Sequence, residues 1–127
     1  MSRTLSSSQT AQLHAALERR VRELDARLAA HEQGASRAEH AHEVLGQDAD
    51  DAAQREGERE LDLALTDLET AELAQAQAAL ARMAAGSYGR CADCGADIAF
   101  ERLKAEPWAL RCVGCAAAAE AEAARRR

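Results

Sequence analysis

A chain of 127 residues holds one domain's worth of sequence, two at most. Apolar residues make up 47%, yet much of that is alanine, and the three aromatics (Tyr88, Phe100, Trp108) all fall after residue 87, so the first two-thirds suits long helices packed along a thin seam rather than a globular core. A net charge of −6 argues against generic nucleic-acid binding, which needs a basic footprint, and no apolar run approaches the ~20 residues of a membrane span.

The opening "MSRTLSSSQT" lacks the apolar core of a signal peptide, and residues 1–8 are expected to be flexible. The chain therefore reads as soluble and cytoplasmic, in a reducing compartment where its four cysteines serve as thiols or ligands rather than disulfides.

Helical periodicity organises residues 9–86. Leu13, Leu17, Val21, Leu24 and Leu28 recur at spacings of 4, 4, 3 and 4, the a/d stripe of a coiled coil. Downstream, Leu61, Leu65, Leu68, Ala76, Leu80 and Met83 make a comparable stripe, with Glu72 at the intervening turn. The break between them lies around Gly46–Asp51. Folding back there gives an antiparallel hairpin in which Leu13 meets Met83, Leu17 meets Leu80, Leu28 meets Leu68 and Ala35 meets Leu61, every pair of numbers adding to 96 or 97. That constant places the crease at Asp48. Gly34 and Gly57 interrupt the two helices near the tip, each costing about 1 kcal/mol relative to alanine, so the distal third is expected to be the least stable part. His14 and His31 read as surface residues, and His40 and His42, two apart, make a poor chelate.

The tip itself, residues 46–53, crowds three aspartates at 48, 50 and 51. Asp48 suits the N-cap of the second helix, and Asp50 and Asp51 suit the positive end of its dipole. Capping alone accounts for one or two of these acids; a working tip is the other reading. From Gly46 to Leu73 the chain carries ten acidic and two basic residues, a net of −8.

Residues 87–115 hold the strongest chemical signal. Cys91 and Cys94 form one C-x2-C pair, Cys112 and Cys115 another, 17 residues apart. Four thiolates in a closed tetrahedron are what a structural zinc prefers, and the x2 spacing lets one tight turn supply two of them. Gly95 after the first pair and Gly114 inside the second are small residues that let the backbone turn sharply around the sulfurs. No His, Asp or Glu takes a ligand position, which argues against a catalytic zinc with an open site. About 30 residues with so few aromatics also need a staple in order to fold. Residues 116–127, "AAAAEAEAARRR", read as a C-terminal helix whose arginines suit its negative end.

The run "GSYGRCADCGADIAFERLKAEPWALRCVGC" resembles the zinc-finger signature of the DksA/TraR family of bacterial transcription factors. The matching features are Tyr88-Gly89, Gly95, Ile98, Arg102-Leu103, Ala105, Pro107 and both cysteine pairs. Upstream, the family's Asp-x-x-Asp-x-Ala tip has its counterpart in Asp48, Asp51 and Ala53, so the likeness is close from residue 48 to 115. The fold it implies is mainly α: a long antiparallel α-helical coiled-coil hairpin, a small four-cysteine zinc-finger module with one structural Zn2+, and a C-terminal helix.

The function it implies is not enzymatic. Family members bind RNA polymerase at its secondary channel, without direct sequence-specific DNA binding, and modulate initiation through the tip aspartates. A monomer is expected, with Arg102, Lys104 and Arg111 as polymerase contacts. DksA-type members also answer to guanosine tetraphosphate in the stringent response through basic residues near the finger. By gapless alignment those positions are Gln75, Glu106 and Ala116, none of them cationic, so dependence on the nucleotide is expected to be weak or absent. Two other classes stay open on the residues alone: a zinc-ribbon interaction scaffold, and a small redox or zinc-storage enzyme.

Overall fold

The computed structural model describes residues 5–45 and 49–126. Asp48, the expected crease and N-cap, lies outside them. The elements in chain order are α1 (Ser7–Leu45), α2 (Ala49–Ala85), α3 (Phe100–Ala105) and α4 (Val113–Arg125). The described residues contain no strand, only an isolated antiparallel bridge between Arg90 and Asp97. None of the described helices is long and apolar enough to cross a membrane. The chain divides into two compact units, one formed by the N-terminal residues to Arg20 together with Gln75 to the C-terminus, the other by Val21–Ala74.

In the first unit the start of α1 is closed by a reciprocal cap. The Ser6 hydroxyl accepts from the Gln9 backbone N–H at 3.0 Å, and the Gln9 side-chain oxygen accepts from the Ser6 N–H at 3.0 Å. Leu5, just ahead of the cap, packs against the core that contains Leu13, Cys91, Ile98, Leu103 and Ala109. The flexible N-terminus expected over 1–8 therefore gives way to fixed structure at Leu5–Ser8. The pattern Ser-x-x-Gln is the signal for this, and the serine-rich look of the segment hides it.

At the other end of the same unit, α2 stops at Gly86, whose φ of +81 is cheap only for glycine. Ser87 N–H reaches back to the Arg82 carbonyl at 3.0 Å and Gly86 N–H to Met83 at 3.2 Å, the paired bonds of a Schellman stop. Leu13 and Leu17 on α1, and Ala76 and Ala79 on α2, are buried along the seam of this unit. Small alanines opposite leucines allow two backbones to approach closely without voids.

In the second unit the two helices run antiparallel, joined by Arg27 to Glu69 at 3.1 Å, His31 to Asp62 at 2.8 Å and to Glu69 at 2.9 Å, and Arg59 to Glu39 at 3.2 Å. The hairpin expected from the sequence is present, and Ala76, Leu80 and Met83 of its second stripe are shielded as expected, but the three leucines of that stripe in this unit are displaced. Leu61, Leu65 and Leu68, assigned to the seam, are 63%, 45% and 64% exposed. Over residues 61–73 the shielded positions are Asp62, Thr66, Glu69, Glu72 and Leu73.

A shift of one residue turns a side chain by about 100° around a helix, enough to move a whole stripe off the seam. The physical cause is His31, which sits in the seam rather than on the surface and presents both ring nitrogens to carboxylates of α2. Partial burial pushes the Glu69 carboxyl up, but hydrogen bonds from Arg27 and His31 outweigh it and hold the group below the usual range. On the α1 side of this unit Leu24 is fully buried, as the first stripe requires. Gly34 and Gly57 lie within helices that run through them without interruption.

Candidate metal centre

Each cysteine pair is positioned by a different local device. The first lies in a turn between the bridged residues Arg90 and Asp97: Cys91 N–H bonds to the Ala96 carbonyl at 2.8 Å, and Gly95 N–H returns to Cys91 at 3.0 Å. Gly95 takes a φ of +76 and Gly89, just upstream, +86, so both glycines of the signature meet a backbone requirement. A Cβ on Gly89 would also stand 3.4 Å from the Leu5 side chain.

The second pair opens α4. Cys112 is its N-cap, with the sulfur accepting from the Cys115 N–H at 3.5 Å, and Cys115 falls in the first turn. Gly114 meets no such requirement. It is helical, its φ is not positive, and a Cβ there would touch nothing within 4 Å, so the sharp turn expected at that position is made by the cap instead.

The four sulfurs lie within 4.8 Å of one another, the only such cluster of metal-ligating side chains among the described residues. Cys94 Sγ and Cys112 Sγ are 3.8 Å apart. A tetrahedron with Zn–S bonds of about 2.3 Å has edges of about 3.8 Å, so the spacing fits a zinc ion.

The electrostatics fit as well. Backbone N–H groups of Cys112, Cys94 and Asp93 stabilise a thiolate at Cys91 and bring it down to about 6, against the opposing effect of burial. Cys115 moves the other way, up to about 12, because Cys112, Cys91 and Cys94 crowd it. One thiolate forms readily and the last does not. A dication at the centre resolves the conflict by stabilising all four as thiolates.

Around the cluster, side chains tie the two turns together. Arg111 Nε donates to Asp93 Oδ2 at 2.7 Å, linking the residue before Cys112 to the interior of the first pair. Arg102 Nε donates to the Arg111 carbonyl at 2.8 Å, and the Tyr88 hydroxyl donates to the Pro107 carbonyl at 2.7 Å. Burial pushes the Tyr88 phenol up to about 12, against the pull of Arg82, so it remains a donor across the ordinary pH range. Ile98 and Leu103 are buried beneath these loops. The signature residues thus divide into turn glycines, core pieces and hydrogen-bonding clasps. Asp93 was missed in the sequence, and the signal for it is an acid inside one C-x2-C facing an arginine just before the other.

The remaining sequence-predicted positions fall as follows. Gln75, Glu106 and Ala116 line a single cavity of about 530 Å³ together with Arg82, Arg102 and Arg111. Lys104 is exposed and stands 6.0 Å over the Phe100 ring. Asp51 and Ala53 belong to the first turns of α2, and their side chains, like all of Asp48, lie outside the described residues.

Residues 86–121 match the family model described as a prokaryotic dksA/traR C4-type zinc finger. The structure of transcription factor DksA2 from Pseudomonas aeruginosa superposes with a TM-score of 0.78 and 30% identity, covering 96% of this chain and 89% of that one. The chain belongs to the DksA/TraR family. A second DksA-type structure, the DnaK suppressor protein from Agrobacterium tumefaciens C58, is 32% identical over 91% of this chain and 97% of its own, with a TM-score of 0.56. An uncharacterized protein of Aquifex aeolicus (strain VF5) is 40% identical over 58 residues, which span 46% of this chain and only 40% of that curated relative. In the DksA/TraR family the four-cysteine cluster is the C4-type finger, and it holds one structural zinc.

Proposed function

We propose that this chain is a bacterial transcription regulator that binds RNA polymerase directly at its secondary channel and modulates initiation there, without catalysing a reaction and without reading DNA sequence. The observation that carries this reading is the likeness to the transcription factor DksA2 along 96% of the chain at 30% identity. On this reading the protein works as a monomer in the cytoplasm, where the polymerase is.

Asp48, Asp51 and Ala53 form the working tip. Carboxylates are suited to that task because they accept hydrogen bonds from polymerase side chains and attract the catalytic magnesium. The net charge of −8 from Gly46 to Leu73 supports entry into a basic protein channel rather than contact with phosphates. Arg102, Lys104 and Arg111 contact the polymerase near the finger. Arg102 and Arg111 each use Nε in the bonds described above, and the other N–H groups of a guanidinium suit polymerase carboxylates.

Dependence on guanosine tetraphosphate is weak. Among Gln75, Glu106 and Ala116 there is no cation, and Glu106 repels phosphate. The three arginines on the same cavity account for the residual response.

The test is in vitro transcription from a ribosomal RNA promoter with the wild-type chain and with Asp48→Asn/Asp51→Asn. Binding to polymerase is expected to survive in the double variant while the effect on transcript yield disappears, and added guanosine tetraphosphate is expected to change the wild-type effect little. A double variant that regulates like the wild type sinks the tip assignment. A wild-type chain that neither binds polymerase nor alters output leaves the scaffold reading in its place.

A further inference from the structure

The four ligands of the zinc centre are not equally free to move. Cys91 is a member of the core, 3% exposed, and Cys112 and Cys115 pack against that core. Those two are also built into the start of α4, where the Cys115 N–H bonds to Cys112 Sγ at 3.5 Å and the Ala116 N–H to the Cys112 carbonyl at 2.9 Å. Cys94 is exposed. A chelator that takes the ion from a closed four-thiolate centre must first displace a sulfur, because no coordination position is open. The sulfur that yields first is the one that can swing out without disturbing core or helix, and Cys94 alone meets that condition.

Backbone bonds hold the first turn at its Cys91 end. Cys91 N–H reaches the Ala96 carbonyl at 2.8 Å, Gly95 N–H returns to the Cys91 carbonyl at 3.0 Å, and Ala92 N–H crosses to the Leu110 carbonyl at 2.9 Å. On the Cys94 side the crossing is made by side chains. Asp93 Oδ2 accepts from Arg111 Nε at 2.7 Å, and these residues immediately precede Cys94 and Cys112, whose sulfurs stand 3.8 Å apart. Arg111 is braced in turn, since its carbonyl accepts from Arg102 Nε at 2.8 Å. Swinging Cys94 outward therefore breaks or strains the Asp93–Arg111 bond. The two side chains are 42% and 46% exposed, so their pairing is screened by solvent. It is strong enough to change a rate severalfold and too weak to decide whether zinc binds.

We infer that Cys94 is the door of the zinc centre and that the Asp93–Arg111 pair is its bolt. Cys94 is the first ligand to detach when the ion exchanges with an external chelator, and the pair sets how fast it does so. Affinity rests on the four thiolates, and residence time on this exposed pair.

The experiment follows zinc transfer from the loaded full-length chain to an excess of a chromophoric chelator. It compares the wild type with Asp93→Ala, Arg111→Gln, the double variant and Arg125→Gln. The last is the control, because it removes another exposed ion pair of the same unit, with Glu122 at 2.7 Å, that does not span the cluster. Circular dichroism checks folding, and Asp93→Ala carries the comparison if Arg111→Gln does not fold. A second readout treats the loaded proteins with limiting N-ethylmaleimide and locates the first modified cysteine by peptide mass. Each single variant is expected to release zinc about twofold to fivefold faster than wild type. The double variant should release no faster than the faster single one, as two halves of one bond require, and Arg125→Gln at the wild-type rate. Cys94 is expected to be modified first in every protein, and sooner in the variants that lack the pair.

Single variants that release zinc at the wild-type rate overturn the bolt. So do additive effects in the double variant, or an equal acceleration in Arg125→Gln, since either shows the substitutions acting through general stability. First modification at Cys91, Cys112 or Cys115 overturns the door, as does modification of all four together, which marks unfolding of the whole finger. None of these readouts involves polymerase, so they stand or fall apart from the function proposed above.

Discussion

Tyr88 is one residue whose role is settled by a single bond, from its hydroxyl to the Pro107 carbonyl at 2.7 Å. Tyr88→Phe keeps the ring in the core and leaves that carbonyl unpaired, so it is expected to lower stability by about 1 kcal/mol, measured by chemical denaturation of the zinc-loaded protein. The same phenol predicts an alkaline effect. Its folded value of about 12 lies above the ordinary value of 10.0, so the folded chain keeps a proton that the unfolded chain loses. The contribution is therefore full below pH 10 and is lost as pH rises toward 12. Absorbance of tyrosinate against pH checks it: the only tyrosine should titrate late in the wild type and near 10 once unfolded. At this scale the sequence is highly legible, because cysteines, turn glycines and a buried tyrosine each have one chemical use at their spacing. His31 is the counterexample. A lone histidine carries no sign of its partners until the register across the hairpin is known.

Among the elements, α1 and α2 are the ones whose existence is easy to read and whose facing is not. The leucines at 13, 17 and 24 are buried as their period requires, whereas those at 61, 65 and 68 obey an equally good period and are exposed. Periodicity identifies a stripe but not what covers it. With two stripes on one helix, side-chain pairing decides which faces α1, and here Asp62 and Glu69 win through His31 and Arg27. Polar pairs at seam positions are known to fix register at some cost in stability. The glycines in these helices add to that cost. A Cβ at Gly34 or Gly57 would meet nothing within 4 Å, and neither has a positive φ. Gly34→Ala and Gly57→Ala are each expected to stabilise the second unit by up to about 1 kcal/mol, read as slower amide exchange in residues 21–74.

For the whole molecule, the two units differ in what holds them. The first has a shared core of Leu13, Cys91, Ile98, Leu103 and Ala109 in which a zinc ligand is itself a core residue. Removing zinc therefore removes a cross-link and part of the core together. A strong chelator is expected to abolish the near-ultraviolet circular dichroism of Tyr88 and Trp108 and to make residues 87–115 sensitive to protease, with recovery on adding Zn2+ and none in Cys115→Ser. The second unit is two helices joined by leucines near one end and by ion pairs further along, and no zinc ligand lies in it. Residues 21–74 are thus expected to keep their helical signal longest under chelation.

Cys112 answers to two masters. Its sulfur closes the metal cluster and is also the acceptor at the start of α4. Serine or aspartate would satisfy the helix but make a poor soft ligand, and histidine would satisfy the metal but not the helix. Either demand alone leaves several amino acids acceptable, and their intersection leaves cysteine. Variation at this position is therefore confined more tightly than zinc chemistry by itself would dictate, and a search for functional substitutes in the finger has least freedom there.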